Sequence, residues 1–185
     1  MKTRSGWIAV ASLLFVTNLS TLFADSYTFT LLPATGSVSG PPGSTVGWGY
    51  TLDNMSASDW LVTSDLQAGT FLDGSPNALF DFPDLGPGSS VAVPFDPVAG
   101  LGLYELTWDD SAPIGFTNSG TFELDAQWWT GDPLAGGTFI SDAPTIDVNY
   151  SAVVTAPSSV PEPSSTILLL VIALGMLGLE RRRGV

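Results

Sequence analysis

Residues 121–129 read Thr-Phe-Glu-Leu-Asp-Ala-Gln-Trp-Trp. Phe122, Leu124, Ala126 and Trp128 take every second position, with Glu123, Asp125 and Gln127 between them. A strand sends successive side chains to opposite faces, so this stretch reads as a half-buried strand with one apolar and one polar side. A helix would scatter the same apolar residues around its axis. The same alternation recurs outward along the chain. Thr145–Val153 sets Ile146, Val148, Tyr150 and Ala152 against Asp147, Asn149 and Ser151. Leu101–Trp108 groups Gly102, Tyr104, Leu106 and Trp108, and Ser44–Leu52 groups Val46, Trp48, Tyr50 and Leu52. Shorter strand candidates are Tyr27–Leu32, Trp60–Thr63, Ala68–Leu72, Ser90–Phe95 and Gly137–Ile140. Turn signals separate them: Pro41-Pro42-Gly43, Asp73-Gly74-Ser75-Pro76, Gly86-Pro87-Gly88, and Gly131-Asp132-Pro133 before Gly136-Gly137. Short amphipathic strands in this number predict an all-β chain folded as one antiparallel two-sheet sandwich.

Pro41-Pro42-Gly43-Ser44-Thr45-Val46, the alternating strand after it and Asp53-Asn54 are similar to the paired strands of bacterial extracellular immunoglobulin-like modules. The resemblance covers about 15 residues and implies an immunoglobulin-like version of the sandwich.

Charge narrows the function. Of 18 acidic residues, Glu162 and Glu180 stand near the C-terminus, which leaves sixteen between Asp25 and Asp147. That stretch holds no Lys, Arg, His or Cys; all five basic residues lie at the ends, at Lys2, Arg4 and Arg181–Arg183. Nucleic acid is excluded as a partner, because phosphates must be met by Lys or Arg. Anionic lipid surfaces repel the stretch for the same reason. Without Cys there are no disulfides, thiolate metal sites or thiol nucleophiles, and without His or Lys a hydroxyl nucleophile lacks its usual base.

The ends differ in kind from the middle. Residues 1–24 have a basic start, an apolar run from Trp7 to Val16 and a small Ala24 before the expected cut, the pattern of a secretory signal peptide. Residues 25–154 are the acidic sandwich domain, and 155–163 form a Pro/Ser linker. Residues 164–185 hold an apolar run, Thr166–Leu179, then Glu180 and the Arg cluster. The run is apolar all round and ends in arginines that stay cytoplasmic, which predicts a transmembrane helix with its basic stop at Arg181, Arg182 and Arg183.

Pro161-Glu162-Pro163, a hydrophobic helix and a terminal basic cluster, in that order, resemble the PEP-CTERM sorting signal of exported bacterial proteins. The resemblance implies that an exosortase recognises the motif Pro161, Glu162, Pro163 and removes the tail, as a GPI signal is removed. It also implies a Gram-negative source that makes exopolysaccharide, an inner-membrane precursor, and a processed protein at the cell surface or outside it.

Three kinds of site can be nominated in the domain. Calcium takes hard oxygen ligands, and Asp81, Asp84, Asp109, Asp110, Asp132 and Asp142 stand in or near turns. No D-x-D-x-D-G loop or Gly-Asp nonapeptide repeat is present, so a solvated acidic surface explains them as well. Asp109-Asp110 or Glu123 with Asp125 would be the carboxylates of a glycosidase, although neighbours on a strand point to opposite faces. Among Trp48, Trp60, Trp108, Trp128 and Trp129, alternation assigns Trp129 to the Glu123, Asp125, Gln127 face. An outward Trp beside polar groups stacks on a sugar ring or anchors a partner, unless the following turn covers it. The expectation is a non-enzymatic surface or extracellular-matrix protein, structural or adhesive in an exopolysaccharide layer, with no cofactor. A carbohydrate- or calcium-binding sandwich module is the alternative.

Overall fold

Thr117–Trp129 forms the longest strand of the computed structural model, which describes residues 25–158. In chain order the strands are β1 (Tyr27–Leu32), β2 (Ser37–Gly40), β3 (Thr45–Asn54), β4 (Trp60–Ala68), β5 (Gly74–Ala78) and β6 (Asp84–Leu85). They continue with β7 (Ser90–Val93), β8 (Tyr104–Trp108), β9 (Thr117–Trp129), β10 (Phe139–Asp142) and β11 (Ile146–Val154). One 3-10 turn, Pro133–Ala135, lies between β9 and β10. The signal peptide with its cut at Ala24, the Pro161-Glu162-Pro163 motif, the hydrophobic helix and Arg181–Arg183 lie outside the described residues.

The strands make two sheets. One runs β1-β3-β8-β5, with β7 also paired to β3; the other runs β2-β11-β9-β4-β6, with β10 also paired to β9. Taking β1, β3, β4, β5, β8, β9 and β11 as strands A to G reproduces the ABED and CFG sheets of an immunoglobulin sandwich. The expected fold class therefore holds, with one correction. The sandwich is not wholly antiparallel, because β2 lies parallel to β11, from Ser37 opposite Ser151 to Gly40 opposite Val154. The chain pairs first with β3 as β1, then passes Pro33–Gly36 and joins the other sheet as β2.

Between the sheets the alternating residues meet as the pattern requires. Trp48, Tyr50 and Leu52 of β3, Leu106 and Trp108 of β8, Phe122 and Leu124 of β9, and Ala152 of β11 are all buried. Trp48 meets Phe122 and Tyr150 edge-on, each at a ring-centroid distance of 5.3 Å, and its Nε1 donates to the Gly36 carbonyl at 2.8 Å. In antibody domains strands B and F are joined by a disulfide. This chain has no cysteine, and Trp48 against Phe122 fills the corresponding place between β3 and β9.

Several strand boundaries depart from the pattern, each for a local reason. Ala68–Leu72 is not a strand of its own. β4 continues to Ala68, and the Asn118 side chain then binds both the N–H (3.0 Å) and the carbonyl (2.8 Å) of Leu72, replacing a neighbouring strand. The Asp73–Pro76 turn signal runs straight into β5, where Pro76 is tolerated because β5 is the sheet edge. Pro94 stops β7 at Val93, and β8 begins only at Tyr104. The strand expected at Gly137–Ile140 forms at Phe139–Asp142.

Candidate functional site

The outward face of the β11-β9-β4 sheet carries the candidate site. Trp128 is buried and Trp129 points the other way, so Trp129 stands outside, half-covered. Register then places two more aromatics beside it: Trp60 of β4 opposite Trp129 on one side, Phe139 of β10 on the other. Directly paired residues share a face, so Trp60, Trp129 and Phe139 form one row across three strands. Trp129 and Phe139 meet edge-to-face at 6.3 Å, and the Trp129 indole N–H donates to Gln127 Oε1 at 3.3 Å. Phe139 is 51 % exposed.

Below this row the face turns polar. Val62 and Asp142 flank Gln127, Asp65 stands opposite Asp125, and Gln67 and Asp147 flank Glu123. A β-bulge makes this possible. Trp60 and Val62 point outward on even numbers; the shift between Thr63 and Asp65 inserts Ser64, after which Asp65 and Gln67 point outward on odd ones. Without the bulge, Leu66 would face solvent and Asp65 the core. Beside the bulge, where β10 gives way to β11, a cavity of about 300 Å³ is lined by Ser64, Asp125, Ala126, Asp142, Ala143 and Thr145. The Thr145 hydroxyl donates to Asp125 at 2.5 Å, and Asp65 accepts from the Leu66 N–H and from Gln67 Nε2, both at 3.0 Å.

The other nominated residues are dispersed. Asp81 accepts the Tyr50 hydroxyl at 2.6 Å; burial and that bond raise the phenol above its ordinary range. Asp132 accepts the Leu134 N–H at 2.8 Å and so caps the 3-10 turn. Desolvation, then the nearby Asp132 charge, raises the Asp84 carboxyl, which makes it hold a proton more readily than a free Asp. Asp109 and Asp110 are exposed in the turn after β8. Among the described residues no three acidic side chains are grouped as metal ligands would be. Glu123 and Asp125 share the outward face, but the carboxylates that line one cavity are Asp125 and Asp142. Trp48, Trp108 and Trp128 are core residues. Trp60 and Phe139 are site residues that alternation alone does not single out, because register with β9 is what sets them beside Trp129.

The row stands at one end of β9 and the end of β11 at the other. Val153, just before the end of β11, is opposite Thr117, the first residue of β9, and Trp129 is the last. At about 3.3 Å per residue, the thirteen residues of β9 separate the two by roughly 40 Å.

No curated protein and no solved structure matches the chain. A family model does: residues 159–183 match the PEP-CTERM protein-sorting motif. Those residues come soon after the end of β11 and include Pro161, Glu162, Pro163 and Arg181–Arg183, the residues that carry the resemblance. The chain thus carries a PEP-CTERM sorting motif behind a β-sandwich, which implies an exported protein, anchored as a precursor by its C-terminal segment and sorted by an exosortase.

Proposed function

We propose that the processed protein is a non-enzymatic component of the cell surface or extracellular matrix, structural or adhesive in an exopolysaccharide layer such as a biofilm. The observation that carries this reading is the sorting motif placed just after a folded, acidic sandwich. A domain with sixteen carboxylates between Asp25 and Asp147 and no cation is kept soluble and dispersed outside the cell. The position of Val153, opposite Thr117 at the far end of β9 from Trp129, also supports a surface role. A chain attached through its C-terminal side, beyond β11, presents the Trp60–Trp129–Phe139 end away from the attachment.

The deciding experiment is an intact mass on protein recovered from the native cell surface and from the medium. The expected species has lost residues up to about Ala24 and residues beyond about Pro163. A mass that keeps the C-terminal segment means a permanent anchor and overturns sorting to the matrix. A full-length chain confined to the cytosol overturns export itself.

A further inference from the structure

We propose that the outward face of the β11-β9-β4 sheet binds an uncharged polysaccharide, with Trp60, Trp129 and Phe139 as the stacking row and the Asp125–Asp142 cavity as the hydroxyl-binding subsite. The inference rests on the adhesive reading above and names its ligand. Sugar rings offer two kinds of contact: flat C–H faces that pack on aromatic rings, and hydroxyls that donate to acceptors. This face supplies both, on one surface and in one direction. The aromatic row comes first; Gln127, Asp142, Asp125 and Asp65 follow at successive outward positions. From Trp129 to Asp125 is four residues of strand, roughly 13 Å, more than one sugar ring covers. The geometry therefore suits a polymer rather than a monosaccharide.

Charge selects among polymers. With no Lys, Arg or His between Asp25 and Asp147, a uronate- or sulfate-bearing chain meets only like charge. The same repulsion opposes a second copy of the domain on this face, since Asp65, Asp125, Glu123 and Asp147 would confront their own images. The bulge at Ser64 brings Asp65 to the outside opposite Asp125, and like charges directly opposite across strands destabilise a sheet. Uncharged hydroxyl donors relieve that juxtaposition.

The test is affinity electrophoresis of the full chain in a non-ionic detergent without a sugar headgroup, through gels holding mixed-linkage β-glucan, galactomannan or alginate. The expected result is retardation by at least one of the two neutral polymers and none by alginate, retained in 0.5 M NaCl. Trp129→Ala and Trp60→Ala should each weaken it by about tenfold, which corresponds to about 1.4 kcal/mol. Trp129→Phe should keep most of it, which separates loss of a stacking ring from loss of folding. Equal or stronger retardation by alginate, loss of binding in salt, or no retardation by either neutral polymer overturns the proposal. Release of reducing ends from β-glucan overturns it as a binding site and makes the face a catalytic one. A concentration-dependent dimer abolished by Trp129→Ala assigns the row to self-association instead. Failure of tail processing in the mass experiment leaves the gel result unchanged, so the two readings fail separately.

Discussion

Asn54 ends β3 with a side chain that is 2 % exposed and uses every polar atom it has. Its Nδ2 donates to the carbonyls of Asp59 (2.8 Å), Leu85 and Gly86 (both 3.0 Å), and its Oδ1 accepts the Ser56 N–H at 3.0 Å. One amide thereby ties the β3–β4 loop to β6, next to the start of β4 where Trp60 stands. Asn54→Asp keeps the shape but turns two donors into acceptors and buries a charge against three carbonyls. It should cost about 3 kcal/mol or more, read as a lower urea midpoint with unchanged slope. Asn54→Ala, which leaves the carbonyls unpaired without adding charge, should cost less. In the sequence Asp53-Asn54 reads only as a turn signal after a strand. Two of the four partners, Leu85 and Gly86, lie far along the chain, so the tie that Asn54 makes to β6 cannot be read from its neighbours. Trp129 is the contrasting case: alternation with Trp128 settles its direction from two adjacent letters.

Strand β3 shows how an element can obey its pattern and still conceal its environment. Alternation correctly opposes Val46, Trp48, Tyr50 and Leu52 to Thr45, Gly47, Gly49 and Thr51. The pattern sends that second side to solvent, yet Gly47 and Gly49 are buried too. The segment after β7 crosses over them, with the Phe95 ring packed on Gly47 and the backbone of Val93, Pro94 and Phe95 on Gly49. A Cβ at position 49 would meet the Val93 carbonyl oxygen and lie 2.8 Å from the Phe95 nitrogen. Main chain cannot yield as a side chain would. Gly49→Ala should therefore destabilise by about 2–3 kcal/mol, measured by chemical denaturation. A Tm within about a degree of the parent, against the several degrees such a loss implies, would show that this crossing does not pack as described. β4 carries the converse lesson. Its first residues, Trp60–Thr63, read as a strand, but the parity change at Ser64 masks the remainder, so local alternation places a separate strand at Ala68–Leu72.

For the molecule as a whole, sixteen carboxylates between Asp25 and Asp147 impose a repulsion that no cation within that stretch offsets. Added NaCl shortens the Debye length from about 30 Å at 0.01 M to about 3 Å at 1 M. Raising NaCl over that range should lift Tm by several degrees, since about 1 kcal/mol moves Tm by ~4 °C in a domain of this size. A Tm independent of salt would mean that the acids are too far apart to burden the fold. Desolvation and Asp132 add a local part of the same effect at Asp84. Its raised folded pKa means that it favours the folded state below the ordinary Asp range and loses that contribution as pH rises through the raised value.

By itself the sequence determined the all-β class, the identity of the main strands, the acidic character and the sorting tail. Each of these rests on local periodicity, on composition or on residues that act while adjacent: Pro161, Glu162 and Pro163 are contiguous, and Phe122 to Trp128 alternate within one strand. Only the tertiary structure decided that Trp60 and Phe139 stand beside Trp129, that β2 runs parallel to β11, and that Asp125 shares a cavity with Asp142. Those facts depend on register between distant segments. A single inserted residue, such as Ser64 in its bulge, reverses every face that follows it, and no local pattern records where that reversal falls.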